Sequence, residues 1–221
     1  MNNKKILIAV LSLILLFTVS CDNENKTGGG NGGSSGGGSS SGSGKGDAIF
    51  SSIPDTTGSP TSDFSGTTTY TGTLNFDATG FDFRGDYSES DVTRDDIFTA
   101  EQQKQQKLEF TLTIKDNKIT LEDKITPPEE LFKDKILFKS EIGEKYNARA
   151  EKNMPEENGN TEKRVYYIEF YKSTDSGKDT LTSVKLIKAS SEKGSTENKD
   201  HQIVNYDWGI KTTHTGDFQG N

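Results

Sequence analysis

This chain has few cysteine and histidine residues, the side chains that most often serve as nucleophile and base in covalent catalysis. Among its 221 residues there is one cysteine, Cys21, and there are two histidines, His201 and His214. Nucleophilic catalysis needs a base within hydrogen-bonding reach of a hydroxyl or thiol, and a carboxylate that orients the base. The Gly-x-Ser-x-Gly pattern occurs only inside the Gly/Ser-rich segment before residue 46, where no strand-to-helix elbow is predicted. His214 lies in a Thr-Thr-His-Thr-Gly sequence typical of the end of a strand. We therefore expect two surface histidines and no catalytic site.

Metal and cofactor sites are not indicated either. The two histidines are thirteen residues apart and no second cysteine exists, which does not match the spacing of zinc ligands. The acidic segments 77–86 and 175–179 lack the Asp-x-Asp-x-Asp-Gly spacing of calcium loops. The tripeptide Arg84-Gly85-Asp86 resembles integrin-binding loops, but Phe81 and Phe83 alternate before it and predict the end of a strand. We predict no metal and no cofactor.

The first 21 residues have the organisation of an export signal. Lys4 and Lys5 give a positively charged start, and residues 6–19 form an apolar stretch that is short for a membrane span. The segment ends in Thr-Val-Ser-Cys at Cys21, which resembles the lipobox of bacterial lipoproteins with class II signal peptides. The resemblance implies lipidation of Cys21, removal of residues 1–20 and anchoring in a membrane through the lipid. The alternative is a signal anchor, or an ordinary secretory signal with an incidental cysteine.

The segment after the cysteine is rich in Gly and Ser up to residue 46, and in Ser, Thr and Pro up to residue 65. Such a composition offers little apolar surface to offset the loss of backbone entropy. We therefore predict a disordered tether over residues 21–65 and a globular domain over residues 66–221. In the lipoprotein family, an acidic residue such as Asp22 often favours retention on the periplasmic face of the inner membrane. A long acidic tether is instead typical of lipoproteins of the outer membrane or cell surface, so both locations stay open.

Charge and cysteine content exclude some functions. The formal net charge of −8 becomes −10 once Lys4 and Lys5 leave with the signal peptide. An acidic surface repels phosphate backbones, and no basic patch with interleaved aromatic residues occurs, so we predict no nucleic-acid partner. A single cysteine permits no internal disulfide bond.

The remainder of the chain has the period-2 alternation of β-strands. The clearest case is a predicted hairpin with a turn at residues 115–118, and its apolar positions should face one buried side together with Ile168 and Phe170. Those hairpin positions are Leu108, Phe110, Leu112, Ile114, Ile119 and Leu121. Residues 95–107 are the only segment that looks helical, with Thr99 as a candidate N-cap, but their thin apolar face favours a surface excursion between strands. Residues 129–133 predict a single helical turn.

Counting these patterns gives about eight strands joined mostly by short turns. We predict an all-β, mainly antiparallel fold, either a meander barrel or a sandwich, with at most one short helix. The domain resembles lipocalin-type barrels in its Thr-rich first strand (SGTTTYTGTL), its successive hairpins and its single late Trp. This resemblance implies a cavity for a small apolar ligand. The sequence favours a non-catalytic protein-interaction or surface-display module of the bacterial envelope. The alternative is a lipocalin-like carrier of a small apolar ligand.

Overall fold

The predicted hairpin is confirmed, and its turn explains its register. In the computed structural model, residues 107–115 and 118–123 pair as antiparallel strands across the two-residue turn Asp116-Asn117. Asp116 has φ 47° and Asn117 has φ 65°. Both lie in the left-handed region that type I′ turns require and that Asp and Asn tolerate better than most residues. All six apolar hairpin positions are buried in one core together with Ile168 and Phe170, as predicted.

The structure describes residues 45–86, 92–124, 129–156, 159–175, 178–197 and 201–220. They belong to a single compact unit that spans Ser43–Asn221. Predictions about residues 1–44, including the lipidation of Cys21 and the Gly/Ser-rich tether, lie outside the described residues.

Within the described part of the chain, ten strands form one antiparallel sheet. They are β1 Ser59–Pro60, β2 Thr67–Asp86, β3 Lys107–Lys115, β4 Lys118–Asp123, β5 Glu130–Ile136, β6 Phe138–Lys139, β7 Tyr146–Asn153, β8 Thr161–Asp175, β9 Lys178–Glu197 and β10 Ile203–Gly220. Their spatial order is β1-β6-β7-β8-β9-β10-β2-β3-β4-β5.

The sheet curls into a nearly closed barrel, which is one of the two arrangements that the sequence predicts. The eight longer strands follow one another as a meander, and the last strand, β10, pairs with the first long strand, β2. β5 and β7 approach each other across the remaining gap. Lys152 of β7 bridges that gap, because its ammonium donates a hydrogen bond to the backbone oxygen of Glu130. The short strands β1 and β6 pair beside this gap.

Large side chains from facing strands fill the apolar part of the barrel. The rings of Phe132 and Tyr166 lie 6.2 Å apart, and those of Tyr146 and Phe170 stack at 5.7 Å. Such packing is the main stabilising contribution in a domain of this size. The members that are completely buried and largest are Tyr70, Phe110, Phe132, Phe170, Phe218, Leu74, Leu112, Ile114, Ile119 and Leu121.

One α-helix, α1, spans Arg94–Gln105 and follows β2. The sequence allowed a short helix here but favoured a surface excursion between strands, and the candidate cap at Thr99 is wrong. Thr93 is the N-cap, and it forms a capping box in which Asp96 accepts a hydrogen bond from the Thr93 backbone N–H. Thr99 instead donates its hydroxyl to the carbonyl of Asp95. The rings of Phe98 and Phe81 lie 5.1 Å apart and hold the helix against β2. No helix among the described residues is long and apolar enough to cross a membrane.

Two further expectations need correction. Residues 129–133 do not form a helical turn, because Glu130–Ile136 is strand β5 with Leu131 and Phe132 completely buried. The folded domain also begins earlier than residue 66. Residues Gly46–Ser52 form a 3₁₀ helix, and Ile49, Ile53 and Phe64 are buried. The composition of residues 45–65 is typical of a linker, but its large aliphatic and aromatic side chains pack against the barrel.

We call residues Lys45–Ile53 the strap. The strap lies on the outer face of the barrel, where Ile49 and Ile53 join an apolar cluster with Tyr167 and Ile187. The carboxylate of Asp207 accepts hydrogen bonds from the backbone N–H groups of Lys45 and Gly46, each at 2.8 Å. The strap thus covers apolar side chains that would otherwise face solvent.

Candidate functional site

The inner face of the barrel changes from apolar to polar toward the end that α1 covers. Successive inner positions of a strand are two residues apart. Toward the start of β8, the buried Phe170 and Ile168 give way to Tyr166 and Arg164. Along β9, Leu186 is followed by Lys188. We call this group of side chains the polar mouth. Its members are Glu101, Gln105, Asp123, Glu129, Arg164, Tyr166, Lys188 and His214.

Arg164 organises one side of the polar mouth. Its guanidinium donates to Glu129 at 2.8 Å and to both carboxylate oxygens of Glu162 at 2.5 and 3.2 Å. The hydroxyl of Tyr166 also donates to Glu129. Burial acts to raise the pKa of Glu129, but Lys188, Tyr166 and Arg164 together hold it below its usual value. Burial and the neighbouring Glu129 raise the pKa of Tyr166. Near neutral pH, Glu129 is therefore ionised and Tyr166 is a hydrogen-bond donor.

Lys188 links this network to the deepest part of the mouth. Its ammonium lies 3.7 Å from the carboxylate of Asp123, whose side chain is 1% exposed. That carboxylate also accepts the backbone N–H of Glu129 at 2.8 Å. Since a buried carboxylate is costly without partners, these contacts keep Asp123 in place. They also fix the ammonium of Lys188 where its charge acts on His214.

His214 contradicts the expectation of a surface histidine. It is completely buried and lies in the middle of β10, opposite Leu186 of β9 and Phe76 of β2. Its ring meets that of Phe76 edge to face, with centroids 5.8 Å apart. Burial first, and the charge of Lys188 second, lower its pKa to about 3, while the backbone of Gln105 acts in the opposite direction. The imidazole is therefore neutral near pH 7.

The other predicted positions lie apart from the polar mouth. His201 is exposed and contacts Glu197, and the structure does not bring the two histidines together. The described residues contain no cluster of three or more His, Cys, Asp or Glu side chains suited to a metal ion. Arg84-Gly85-Asp86 is not a projecting loop, since it pairs with residues 207–209 of β10. Its Arg84 pairs with Asp82 and its Asp86 pairs with Lys45.

A second polar site lies outside the barrel, between the strap and β9. It is a pocket of about 290 Å³ whose lining includes Asp47, Glu162 and Lys193. Asp47 accepts hydrogen bonds from Ser191 at 2.5 Å and from Lys193 at 3.0 Å. Burial acts to raise the pKa of Asp47, but these two partners lower it on balance. Asp47 and Lys193 thus neutralise each other, and their contact holds the strap on the sheet.

Sequence reasoning missed the polar mouth, although the alternation contains a signal for it. Extending the inner register of β8 beyond Ile168 places Arg164 inside the barrel, and extending β9 beyond Leu186 places Lys188 there. Charged residues at predicted inner positions are a reason to expect a paired network. The sequence does not show which residues pair with Arg164 and Lys188, because Glu129 and Asp123 lie in distant parts of the chain.

Comparison with known proteins adds no assignment. No protein-family model, curated protein or solved structure matches this chain.

Proposed function

We propose that the chain is a lipid-anchored lipoprotein of the bacterial envelope, whose barrel is a non-catalytic module for protein interaction or surface display. The lipobox-like sequence at Cys21, the Gly/Ser-rich segment after it and the folded domain that begins near Lys45 support this proposal. Lipid chains supply the membrane affinity, and a flexible segment gives the domain reach. The location is the outer membrane or cell surface, or the periplasmic face of the inner membrane.

The observation that carries the proposal is the position of the strap relative to the exposed apolar side chains. The strap meets the barrel near Lys193, which pairs with Thr161 at the start of β8. Tyr171 is ten residues further along β8, about 33 Å away at 3.3 Å per residue. The strap thus contacts the barrel at one end, and Tyr171 lies toward the opposite end, which we call the far end.

Apolar residues are exposed mainly at that far end. Of the four large apolar side chains exposed among the described residues, Ile136, Ile142 and Tyr171 lie there, and Ile203 lies near the strap end. Ile142 is 89% exposed in the turn between β6 and β7, and Gly143 of the same turn faces the Tyr171 hydroxyl. Exposed apolar groups that lie together are a common feature of protein-binding surfaces.

The packing of the barrel favours this function over a lipocalin-like carrier. An apolar ligand needs a cavity of roughly 300 Å³ or more. In the described barrel the corresponding space holds the side chains of Phe110, Phe170 and Phe218, which are completely buried. A carrier would have to displace these rings.

The anchor can be tested in the full chain expressed in a bacterium. Cys21→Ser should abolish lipidation and move the protein from the membrane fraction to the soluble fraction, because no acyl chains remain. Ser20→Ala is the matched control, since it leaves the cysteine in place and keeps a small residue before it. Intact mass and membrane fractionation are the measurements. A Cys21→Ser protein that stays membrane-bound to the same extent would contradict the proposal.

The far end can be tested by in-cell cross-linking with Ile142→Asp and Ile203→Asp. Both replace an exposed isoleucine by a charge, so both should leave the melting temperature nearly unchanged. We expect Ile142→Asp to remove a specific cross-linked species that the wild type forms, and Ile203→Asp to retain it. Loss of that species in Ile203→Asp alone would place the interaction at the other end.

A further inference from the structure

The strap depends on the barrel for its conformation. Gly46–Ser52 is a 3₁₀ helix of seven residues, and its N-cap, Lys45, makes no side-chain capping hydrogen bond. Runs of 3₁₀ helix longer than about three or four residues are uncommon, and short isolated helices are marginal in water. The strap therefore keeps its shape through its contacts with the outer face of the barrel.

The barrel provides a surface that matches the strap, which we call the strap groove. Its floor is apolar and belongs to the outer face of β8 and β9, and its polar groups lie on β9 and β10. Without an occupant, the floor would be an exposed apolar patch of the kind that marks interaction sites. The residues of the strap groove are Val165, Tyr167, Ile187, Ala189, Ser191, Lys193, Asp207 and Gly209.

One end of the strap groove selects glycine. The carboxylate of Asp207 accepts the backbone N–H groups of Lys45 and Gly46, each at 2.8 Å. This double contact needs a close approach of two backbones, and a β-carbon on Gly46 would collide with the backbone of Trp208. An occupant must therefore present a glycine here.

The rest of the strap groove selects a carboxylate and two isoleucines. Lys193 lies 3.0 Å from the carboxylate of Asp47. Ile49 and Ile53 are buried against the apolar floor. The occupant that fits is Gly-Asp-x-Ile-x-x-x-Ile, which the chain itself carries at residues 46–53. The charges and the shape of the groove thus identify a strap of this chain as the occupant.

A short hinge, residues 54–56, joins the strap to the rest of the domain. On the strap side, Ile53 is extended (φ −95°, ψ 127°), and Pro54 after it favours an extended course of the chain. On the other side, Thr57 is fixed to β7. Its backbone N–H donates to the side chain of Asn147, and its carbonyl accepts from that side chain, each at 3.0 Å. The strap can therefore leave its groove while the chain from Thr57 onward stays in place.

A strap from a second copy would make the same contacts in the groove as the protein's own strap. Opening the hinge breaks the ion pair between Arg149 and Asp55, whose side chain is 90% exposed, and such pairs contribute about 0–1 kcal/mol. The protein's own strap has the advantage of being attached, which corresponds to a roughly millimolar effective concentration. Exchange is therefore expected where copies of the chain are crowded together.

We propose that the strap groove is a docking site for the strap of a second copy of this chain, so that two copies exchange straps and form a dimer. Reciprocal exchange of an identical element uses only contacts that the folded protein already makes. The proposal is independent of the lipid anchor and of the far end.

Zero-length cross-linking tests the exchange in the wild-type, full-length protein in detergent. Equal amounts of ¹⁴N- and ¹⁵N-labelled protein are mixed, incubated and treated with a carbodiimide, which joins a lysine to a carboxylate that it contacts. Mass spectrometry of the linked peptides then shows whether the two residues of a pair come from different copies. Asp47 and Lys193, 3.0 Å apart, report on the strap. Asp63 and Lys139, 2.8 Å apart, are the matched control, because Asp63 lies beyond the hinge.

We expect mixed-isotope links between Asp47 and Lys193, in a share that rises with protein concentration, and same-isotope links at the control pair. Ile49→Asp in the ¹⁵N copy alone should make the exchange one-sided. Asp47 of that copy should lose its links, while Lys193 of that copy should be linked to Asp47 of the ¹⁴N copy. Absence of mixed-isotope links between Asp47 and Lys193 at every concentration would overturn the proposal. Equal mixed shares at both pairs would also overturn it, since they indicate non-specific contact or exchange of more than the strap.

Discussion

Gly46 of the strap and Gly209 of β10 pack backbone against backbone. A β-carbon on Gly209 would lie 2.3 Å from the carbonyl oxygen of Gly46 and 2.9 Å from the side chain of Ile49. A β-carbon on Gly46 would lie 2.3 Å from the carbonyl oxygen of Trp208. The absence of a side chain on both residues lets the strap approach closely enough for Asp207 to accept both of its backbone N–H groups.

Gly209→Ala should therefore loosen the strap. The added methyl group meets backbone atoms that cannot rotate away, and overpacking of this kind typically costs about 1–3 kcal/mol. We expect a lower urea midpoint and faster proteolytic cleavage within residues 45–58. Thr215→Ala, at an exposed position of the same strand, is the control and should change the unfolding free energy by less than about 0.5 kcal/mol. Equal midpoints and cleavage rates for the two variants would show that the strap does not depend on this contact.

The burial of His214 predicts a specific loss of stability in acid. Its pKa is about 3 in the folded protein, against about 6.5 when the chain is unfolded. The stability linked to this group is present in full above pH 6.5. As the pH falls from 6.5 toward 3, only the unfolded chain takes up the proton, so the unfolding free energy decreases by roughly 1.4 kcal/mol per pH unit.

His214→Leu should remove this dependence. Urea midpoints measured at pH 7.0, 5.5 and 4.5 should fall less steeply for this variant than for the wild type. His201→Gln changes the exposed histidine and is the matched control. Other acidic groups titrate in the same range, so the difference between the slopes is the quantity that matters. Parallel slopes for His214→Leu and the wild type would mean that the imidazole is accessible to protons in the folded state.

The N-cap of α1 can be identified by two threonine substitutions. Thr93→Ala removes the side-chain half of the capping box and should destabilise the protein by about 1 kcal/mol. Thr99→Ala removes only a hydroxyl that bonds back to the Asp95 carbonyl within the helix, and alanine is the better helix former. We expect it to be neutral or slightly stabilising. Thermal unfolding of both variants is the measurement, and a larger loss for Thr99→Ala would restore the cap expected from the sequence.

The antiparallel strands could be predicted because their signal is local. Alternation in Leu108–Ile114 fixes which side chains face inward, and Asp116-Asn117 supplies the turn that returns the chain in register. The same alternation predicted Ile168 and Phe170 on the inner face. These features depend on neighbours within a few residues, and a single sequence contains that information.

The strap and the polar mouth could not be predicted in the same way. Gly46 and Ile49 stand in a segment whose composition is typical of a linker, and their partners Asp207 and Gly209 are about 160 residues away. His214 has polar neighbours in sequence, but it is buried because β9, β2 and the end of α1 surround it. Pairings over such distances are set by the closure of the barrel.

The strap also has a mechanical consequence. A load applied from the N-terminal side would reach the barrel through Lys45 and Gly46, and it would meet the two hydrogen bonds to Asp207 before any strand pairing of β2. Peeling the strap would add length at up to about 3.3 Å per residue while β10 stays bonded to β9 and β2 along most of its length. The strap would therefore act as an extensible element in series with the barrel, one that yields before the folded sheet carries the force.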